Sequence, residues 1–190
     1  MKTAEELLNG FTPFNEQERK DAELIRSVLD LGDETIWTRQ NRIMHLTASA
    51  WVVDHSRTKA LMAYHNIYKS WSWLGGHADG ERDLSAIALR EVMEESGVRS
   101  ARLLSPDLYS VEVLTVDGHV KKGEYVSSHL HLNFTFLIEA DEEDLLTVRE
   151  GENSGVSWFL LDEAVRASSE PWFREHIYSK LNMKLARLMA

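Results

Sequence analysis

Residues 74–98 read LGGHADGERDLSAIALREVMEESGV, a glycine pair followed by a helix-forming run that carries Glu91, Glu94 and Glu95 close together. Asp83 stands at an N-cap position, good helix formers fill 82–96, and Gly97 supplies the left-handed residue that closes a helix. At about 100° per residue the three glutamates fall within an arc of about 100°, so they converge on one side. Carboxylates at i, i+3 and i+4 repel one another, and a hard divalent cation among them relieves the repulsion. Mg²⁺ accepts oxygen ligands, keeps several waters and bridges carboxylates to substrate phosphates. The face therefore points to phosphate-ester or diphosphate chemistry, against the plainer reading of a solvated acidic helix. Arg90, four residues before Glu94, is placed to pair with it. Gly75 and Gly76 allow a tight turn that presents backbone carbonyls or amides to a metal or phosphate.

Upstream, HLTASAWVV (45–53) is rich in β-formers, DHSRT supplies turn residues and KALMAYHNIY returns, which predicts a hairpin. Further upstream, Asn15 and Glu18 have capping-box spacing, and Ala22, Ile25, Val28 and Leu29 recur at helical steps. This predicts a helix that packs on its own domain or serves a homodimer. Downstream, 109–116 reads as a strand and Asp117-Gly118 as a turn pair. In HLHLNFTFLI, Leu130, Leu132, Phe134, Phe136 and Ile138 alternate with His129, His131, Asn133 and Thr135, which predicts a half-buried strand. The acidic stretch 141–152 reads as a solvated connection. A short strand around 156–160, a helix near Asp162 and a last helix opening at Pro171, with Ile177, Leu181, Leu185 and Leu188 as its stripe, complete the chain.

The chain has 190 residues, and at about 150 residues per domain this suggests one domain with an extension. Acidic residues number 31 against 21 Lys plus Arg, a formal charge of −10, with a pI near 5.3. Duplex nucleic acid is an unsuited partner, because backbone neutralisation demands Lys and Arg. Hydrophobic content of 43% supports a core and argues against global disorder. Nothing approaches a membrane-spanning apolar run, and MKTAEELLNG lacks a signal-peptide core, so the expected location is cytoplasmic. Cysteine is absent, so a metal must use oxygen or imidazole ligands. Trp51, Trp71, Trp73 and Trp158 offer faces for a base, although packing is the commoner use of Trp.

In letter order, residues 76–98 resemble the signature of the Nudix hydrolases, G-x5-E-x7-R-E-U-x-E-E-x-G-U with U aliphatic. Gly76, Arg90, Glu91, Val92, Glu94, Glu95, Gly97 and Val98 fall at matching positions, and Arg82 stands where the pattern has its first Glu, flanked by Glu81 and Asp83. Either neighbour is placed to supply the acid after a one-residue rearrangement. The segments HLTASAWVV, WSWLGGH and ENSGVSWFLLDEA look like flanking elements of the same family.

The resemblance covers roughly residues 44–166. It implies an α+β Nudix fold, a mixed β-sheet sandwiched between α-helices, with a helical N-terminal extension (1–43) and a C-terminal helix (167–190). It implies hydrolysis of a nucleoside diphosphate linked to another group, a small-molecule substrate, with Mg²⁺ or Mn²⁺ as cofactor. By the same resemblance Glu91 and Glu95 ligate metal, with Glu94 and the Gly75 carbonyl as further ligands. The general base comes from the motif helix or a later loop, so Glu94 and Glu152 both stand, with Arg90 beside them. His77, next to the glycine pair, His129 and His131 on one strand face, and Arg39 and Arg42 before the first strand are candidate substrate contacts. Arg82 motivates the rival reading of a Nudix-like module that binds a nucleotide without cleaving it. The allylic-diphosphate isomerases of this fold use a catalytic Cys, which this chain lacks.

Overall fold

Hydrogen-bonding side chains, Thr3, Asn15, Asp33 and Asp83, cap the first helices in the computed structural model, which describes residues 2–121 and 123–190. The order is α1 (Ala4–Gly10), α2 (Glu16–Leu29), a 3₁₀ turn (Glu34–Trp37), β1 (Met44–Val53), β2 (Lys59–His65), β3 (Ser70–Ser72), β4 (Leu74–His77), α3 (Leu84–Ser96) and β5 (Ala101–Leu103). It continues with β6 (Ser110–Val116), β7 (His119–Lys121), β8 (Glu124–Val126), β9 (His129–Ala140), β10 (Asn153–Leu160), α4 (Leu161–Ala167), a π-helical turn (Phe173–Tyr178) and α5 (Ser179–Met189). The fold is mixed α+β, with a mixed sheet. The elements fall into two units: one holds residues up to Ser49, Gly75–Ala88 and Ser105–Phe136, the other Ala50–Leu74, Leu89–Leu104 and Leu137–Ala190.

In the first unit β6 pairs antiparallel with β9, Val111 opposite Phe134 and Leu114 opposite His131, and α2 packs on β6. Asn15 accepts from the Glu18 amide at 3.0 Å, as the capping spacing predicts. The Glu18 carboxylate instead reaches the Phe14 amide at 2.7 Å and the Ser110 hydroxyl at 2.7 Å, and is fully buried. Ala22, Ile25 and Val28 are buried within their own chain, so the stripe that suggested a partner is covered intramolecularly. The half-buried reading of 128–138 is corrected: from Leu132 onward β9 is buried on both faces. Its polar face is dry because every group there finds a partner, as buried polar atoms require. Asn133 Oδ1 accepts from Thr47 and Ser49 at 2.8 and 2.9 Å, its amide donates to Glu112 at 3.0 Å, and Thr135 donates to Glu112 at 2.7 Å. Residues 119–121 and 124–126, where the sequence suggests no strand, form the two-stranded β7–β8 ribbon.

In the second unit the predicted hairpin forms, with Val52 opposite Leu61, and β2 also pairs with β3 and β10. Asp54 organises the turn: it accepts from the Ser56, Thr58 and Lys59 amides at 3.1, 2.8 and 2.7 Å and from the Ser56 hydroxyl. Burial pushes the Asp54 carboxyl up, but these hydrogen bonds outweigh burial and hold it below its ordinary value. Trp51 is fully buried and stacks on Tyr178 with centroids 5.6 Å apart, and Trp73 meets the same ring edge-on. Trp51 is thus core, and Trp73 packs half-buried on the same ring. The last helix contains the π turn, and its stripe buries Ile177, Leu181 and Leu185 but leaves Leu188, in its final turn, 63% exposed.

The acidic stretch is mostly exposed, as its reading as a solvated connection predicts, and it is anchored at several points. Gly97 closes α3 at φ +77°, and a Cβ there would lie 3.0 Å from the Thr147 amide nitrogen and closer still to its hydroxyl. Thr147 donates its amide to the Ser96 carbonyl at 2.8 Å. Asp144 accepts from the Arg99 and Ser100 amides at 2.8 and 2.9 Å.

Two changes test these anchors. Asp54→Ala leaves two or more amides without their acceptor and is expected to lose about 1–3 kcal/mol at pH 7 in urea unfolding. Because the folded-state pKa of Asp54 is depressed, its contribution is present above the unfolded value of about 3.9 and disappears as pH falls through the folded one. The parent–variant gap should accordingly narrow in acid, and a gap that stays constant would contradict the assignment. Gly97→Ala combines a left-handed backbone with a close approach to Thr147 and is expected to cost about 1–3 kcal/mol in thermal unfolding.

Candidate functional site

Asp83 starts α3 by accepting from the Ala86 amide at 3.0 Å and the Ser85 hydroxyl at 2.6 Å. Asp83 is thus engaged as the cap of α3. Arg82 is fixed by an ion pair to Glu34 and lies 4.3 Å over the Trp37 ring, a cation–π contact. The position that the signature gives to an acid is here a tether within the first unit.

In the second unit the C-terminal part of α3 presents its carboxylates in a graded way. Glu95 is 8% exposed, the Glu91 side chain 13% and the Glu94 side chain 44%. Arg149, from the stretch before β10, lies among them. Its Nη1 is 3.0 Å from Glu91 Oε2 and 3.2 Å from Glu94 Oε2, and its Nε is 3.2 Å from Glu152 Oε2. Arg90 is looser, 3.7 Å from Glu91 and 3.9 Å from Glu94. Buried Asn153 sets this arrangement: its side chain accepts from the Arg149 amide at 2.9 Å and donates to the Glu95 carbonyl at 3.0 Å. Burial pushes the Glu91 carboxyl up, Arg149 and Arg90 oppose this, and the Glu94 charge adds to it. Burial draws the Arg149 guanidinium down, and the charges of Glu152, Glu91 and Glu94 outweigh it to raise the pKa.

The sequence thus placed Glu91, Glu94, Glu95, Arg90 and Glu152 in one neighbourhood and missed Arg149. The available signal was that Arg149 is the lone base within DEEDLLTVREGE. The donor set fits a hard divalent cation, since carboxylate oxygens suit Mg²⁺ and Mn²⁺. The positive charge of Arg149 among them marks where a cation is favoured.

Gly75, in the first unit, allows β4 to approach β1: a Cβ on it would fall 2.6 Å from the Ala48 carbonyl and 2.7 Å from Ser49 Cα. His77 follows two residues later and lies in a cluster with His45, His129 and His131. Ring centroids are 5.1 Å apart for His45–His77 and 4.9 Å for both His45–His129 and His45–His131. Burial, the largest influence on each, pushes His77 down to about 3 and His131 to about 2, and also lowers His45. These rings are neutral at pH 7. His45 was not singled out in the sequence, where it reads as the first residue of a strand. Arg39 is held by Asp79 at 2.6 and 2.8 Å, and Arg42 is exposed.

Comparison with known proteins agrees with the motif. Residues 44–181 match the NUDIX domain. No curated protein matches the chain in sequence. Among solved structures, a C. elegans Ap4A hydrolase in a binary complex is similar with a TM-score of 0.55 and 17% identity, over 76% of this chain and 96% of that one. A NUDIX-family hydrolase from Clostridium perfringens is similar with a TM-score of 0.53 and 20% identity, over 76% of this chain and 97% of that one. At these identities the likeness is one of fold. On the match of residues 44–181, the chain belongs to the NUDIX family.

Proposed function

We propose that this protein is a divalent-metal-dependent hydrolase that cleaves the diphosphate linkage of a nucleoside diphosphate joined to another moiety, or of a related small molecule, in the cytoplasm. The observation that carries the reading is the convergence of Glu91, Glu94 and Glu152 on one cationic point, with Glu95 beside Glu91 on the same helix. Glu91 and Glu95 would hold Mg²⁺ or Mn²⁺, with Glu94 as a further ligand. When bound, the ion supplies charge neutralisation on the diphosphate and a polarised water. The two more exposed carboxylates, Glu94 and Glu152, are the ones water and substrate reach, and one of them takes the proton of the attacking water. Arg149 spans both, so it holds them in position and offers a guanidinium to phosphate oxygens. No covalent intermediate is needed.

The tethering of Arg82 by Glu34 and Trp37 supports a second reading, a NUDIX-fold module that binds a nucleotide without turnover, because one motif acid is replaced.

Phosphate release with Mg²⁺ and then Mn²⁺ over nucleoside triphosphates, dinucleoside polyphosphates, sugar nucleotides and coenzyme diphosphates separates the two readings. The expected result is turnover that a chelator abolishes and that falls at least about 100-fold in Glu95→Gln, on the scale of losing a metal-site contact. Of Glu94→Gln and Glu152→Gln, the one removing the general base should lower kcat by about 10²–10⁴ and flatten the acid limb of the pH profile. Saturable nucleotide binding with no turnover on any substrate would instead establish the binding module.

A further inference from the structure

We infer that the first unit carries a separate binding site for a divalent transition ion of the zinc class, with His45, His77 and His131 as ligands. One ring nitrogen from each lies within 4.8 Å of the others. For such a triangle a point exists within about 2.8 Å of all three nitrogens, less than 1 Å beyond a Zn–N bond of about 2.0–2.1 Å. Small side-chain rotations close that gap.

The tautomers favour ligation. His45 is 4% exposed, and its Nδ1 lies 3.1 Å from the Asn41 carbonyl, to which it can only donate. Its Nε2 then carries the lone pair, and this nitrogen is buried with no hydrogen-bond partner. A buried acceptor without a donor is costly, and a metal ion satisfies it. An imidazole that donates its other nitrogen to a backbone carbonyl is the usual arrangement of a ligating histidine. His129 repeats the device one step out. Its Nδ1 lies 2.9 Å from the Ser127 carbonyl, and its Nε2 lies 3.2 Å from His131 Nε2. With Nδ1 donating to Ser127, His129 accepts from His131 and leaves the lone pair of His131 on Nδ1. His129 is thus a positioning residue.

Three imidazoles without a carboxylate select zinc, nickel or copper over magnesium. A three-histidine set leaves a fourth position open to water or an anionic oxygen. Donor type and sequence position both distinguish this site from the glutamates of α3, and the inference stands whether or not the protein proves to be a hydrolase.

The test uses the full chain stripped of metal and titrated with Zn²⁺ against a chromogenic chelator, with Co²⁺ visible bands reporting coordination. One equivalent of Zn²⁺ is expected to bind, with affinity reduced at least 100-fold in His77→Ala and in His131→Ala, about tenfold in His129→Ala, and less than threefold in the double variant Glu91→Gln/Glu95→Gln. Unchanged Zn²⁺ affinity in His77→Ala, or loss of the site in the glutamate variant, would overturn the assignment. Should His131→Ala not fold, nitrogen NMR of the parent decides: Zn²⁺ must shift ring nitrogens of His45, His77 and His131, and unshifted rings refute the site.

Discussion

Electrostatic repulsion on one helix organises the second unit. Glu91, Glu94 and Glu95 lie within two turns of α3, and two of them are largely withdrawn from water. Like charges about 4 Å apart repel by roughly 4 kcal/mol at an effective dielectric near 20, so a cation is required nearby. Arg149 meets that requirement, 3.0–3.2 Å from Glu91, Glu94 and Glu152. The stretch from Asp141 to Glu152 is therefore part of the site, and its anchors carry functional weight. Asn153 joins Arg149 to the Glu95 backbone, and Thr147 seats against Gly97. A packing fault at Gly97 would displace the arginine that balances the glutamates.

The two units hold donors of different character. The second presents carboxylate oxygens, which suit hard ions that retain water. The first presents neutral imidazoles in a partly dehydrated cluster, where a magnesium ion gains little and a zinc-class ion gains much. The buried network of Glu18, Ser110, Glu112, Asn133 and Thr135 lies in the first unit too, and it fixes β9, the strand that carries His129 and His131. A fully satisfied polar network rigidifies its surroundings, which is the condition for histidines to sit within ligating distance of one another.

Local signals made α3 and its site legible. Asp83 as cap, Gly97 as terminator and the glutamate spacing each act within a few residues, and all three hold in the structure. The β1–β2 hairpin was legible for the same reason, its turn being built by Asp54 and its neighbours. Long-range pairings were not. Arg149 acts on residues 58 positions away in sequence, and a single base in an acidic run looks like ordinary surface. The polar face of β9 read as solvated because alternation reports polarity, not burial, and Thr47, Ser49 and Glu112 supply partners from elsewhere in the chain. His45 looked like a strand residue, and only the approach of His77, His129 and His131 gives it a chemical context.

Arg82 contributes no negative charge where the signature has an acid. Its guanidinium is engaged by Glu34 and Trp37, which anchors the loop before α3. The second unit holds Glu91, Glu94, Glu95 and Glu152 with Arg90 and Arg149. With all groups ionised, their formal charges sum to −4 + 2 = −2. A single divalent ion brings that set to neutrality with both arginines still in place. An additional carboxylate would leave it at −1 and would demand a second ion or a further cation. Under the proposed function, one hard ion and the standing charge of Arg149 would together balance these carboxylates, and the arginine would share with the metal the task of meeting a diphosphate.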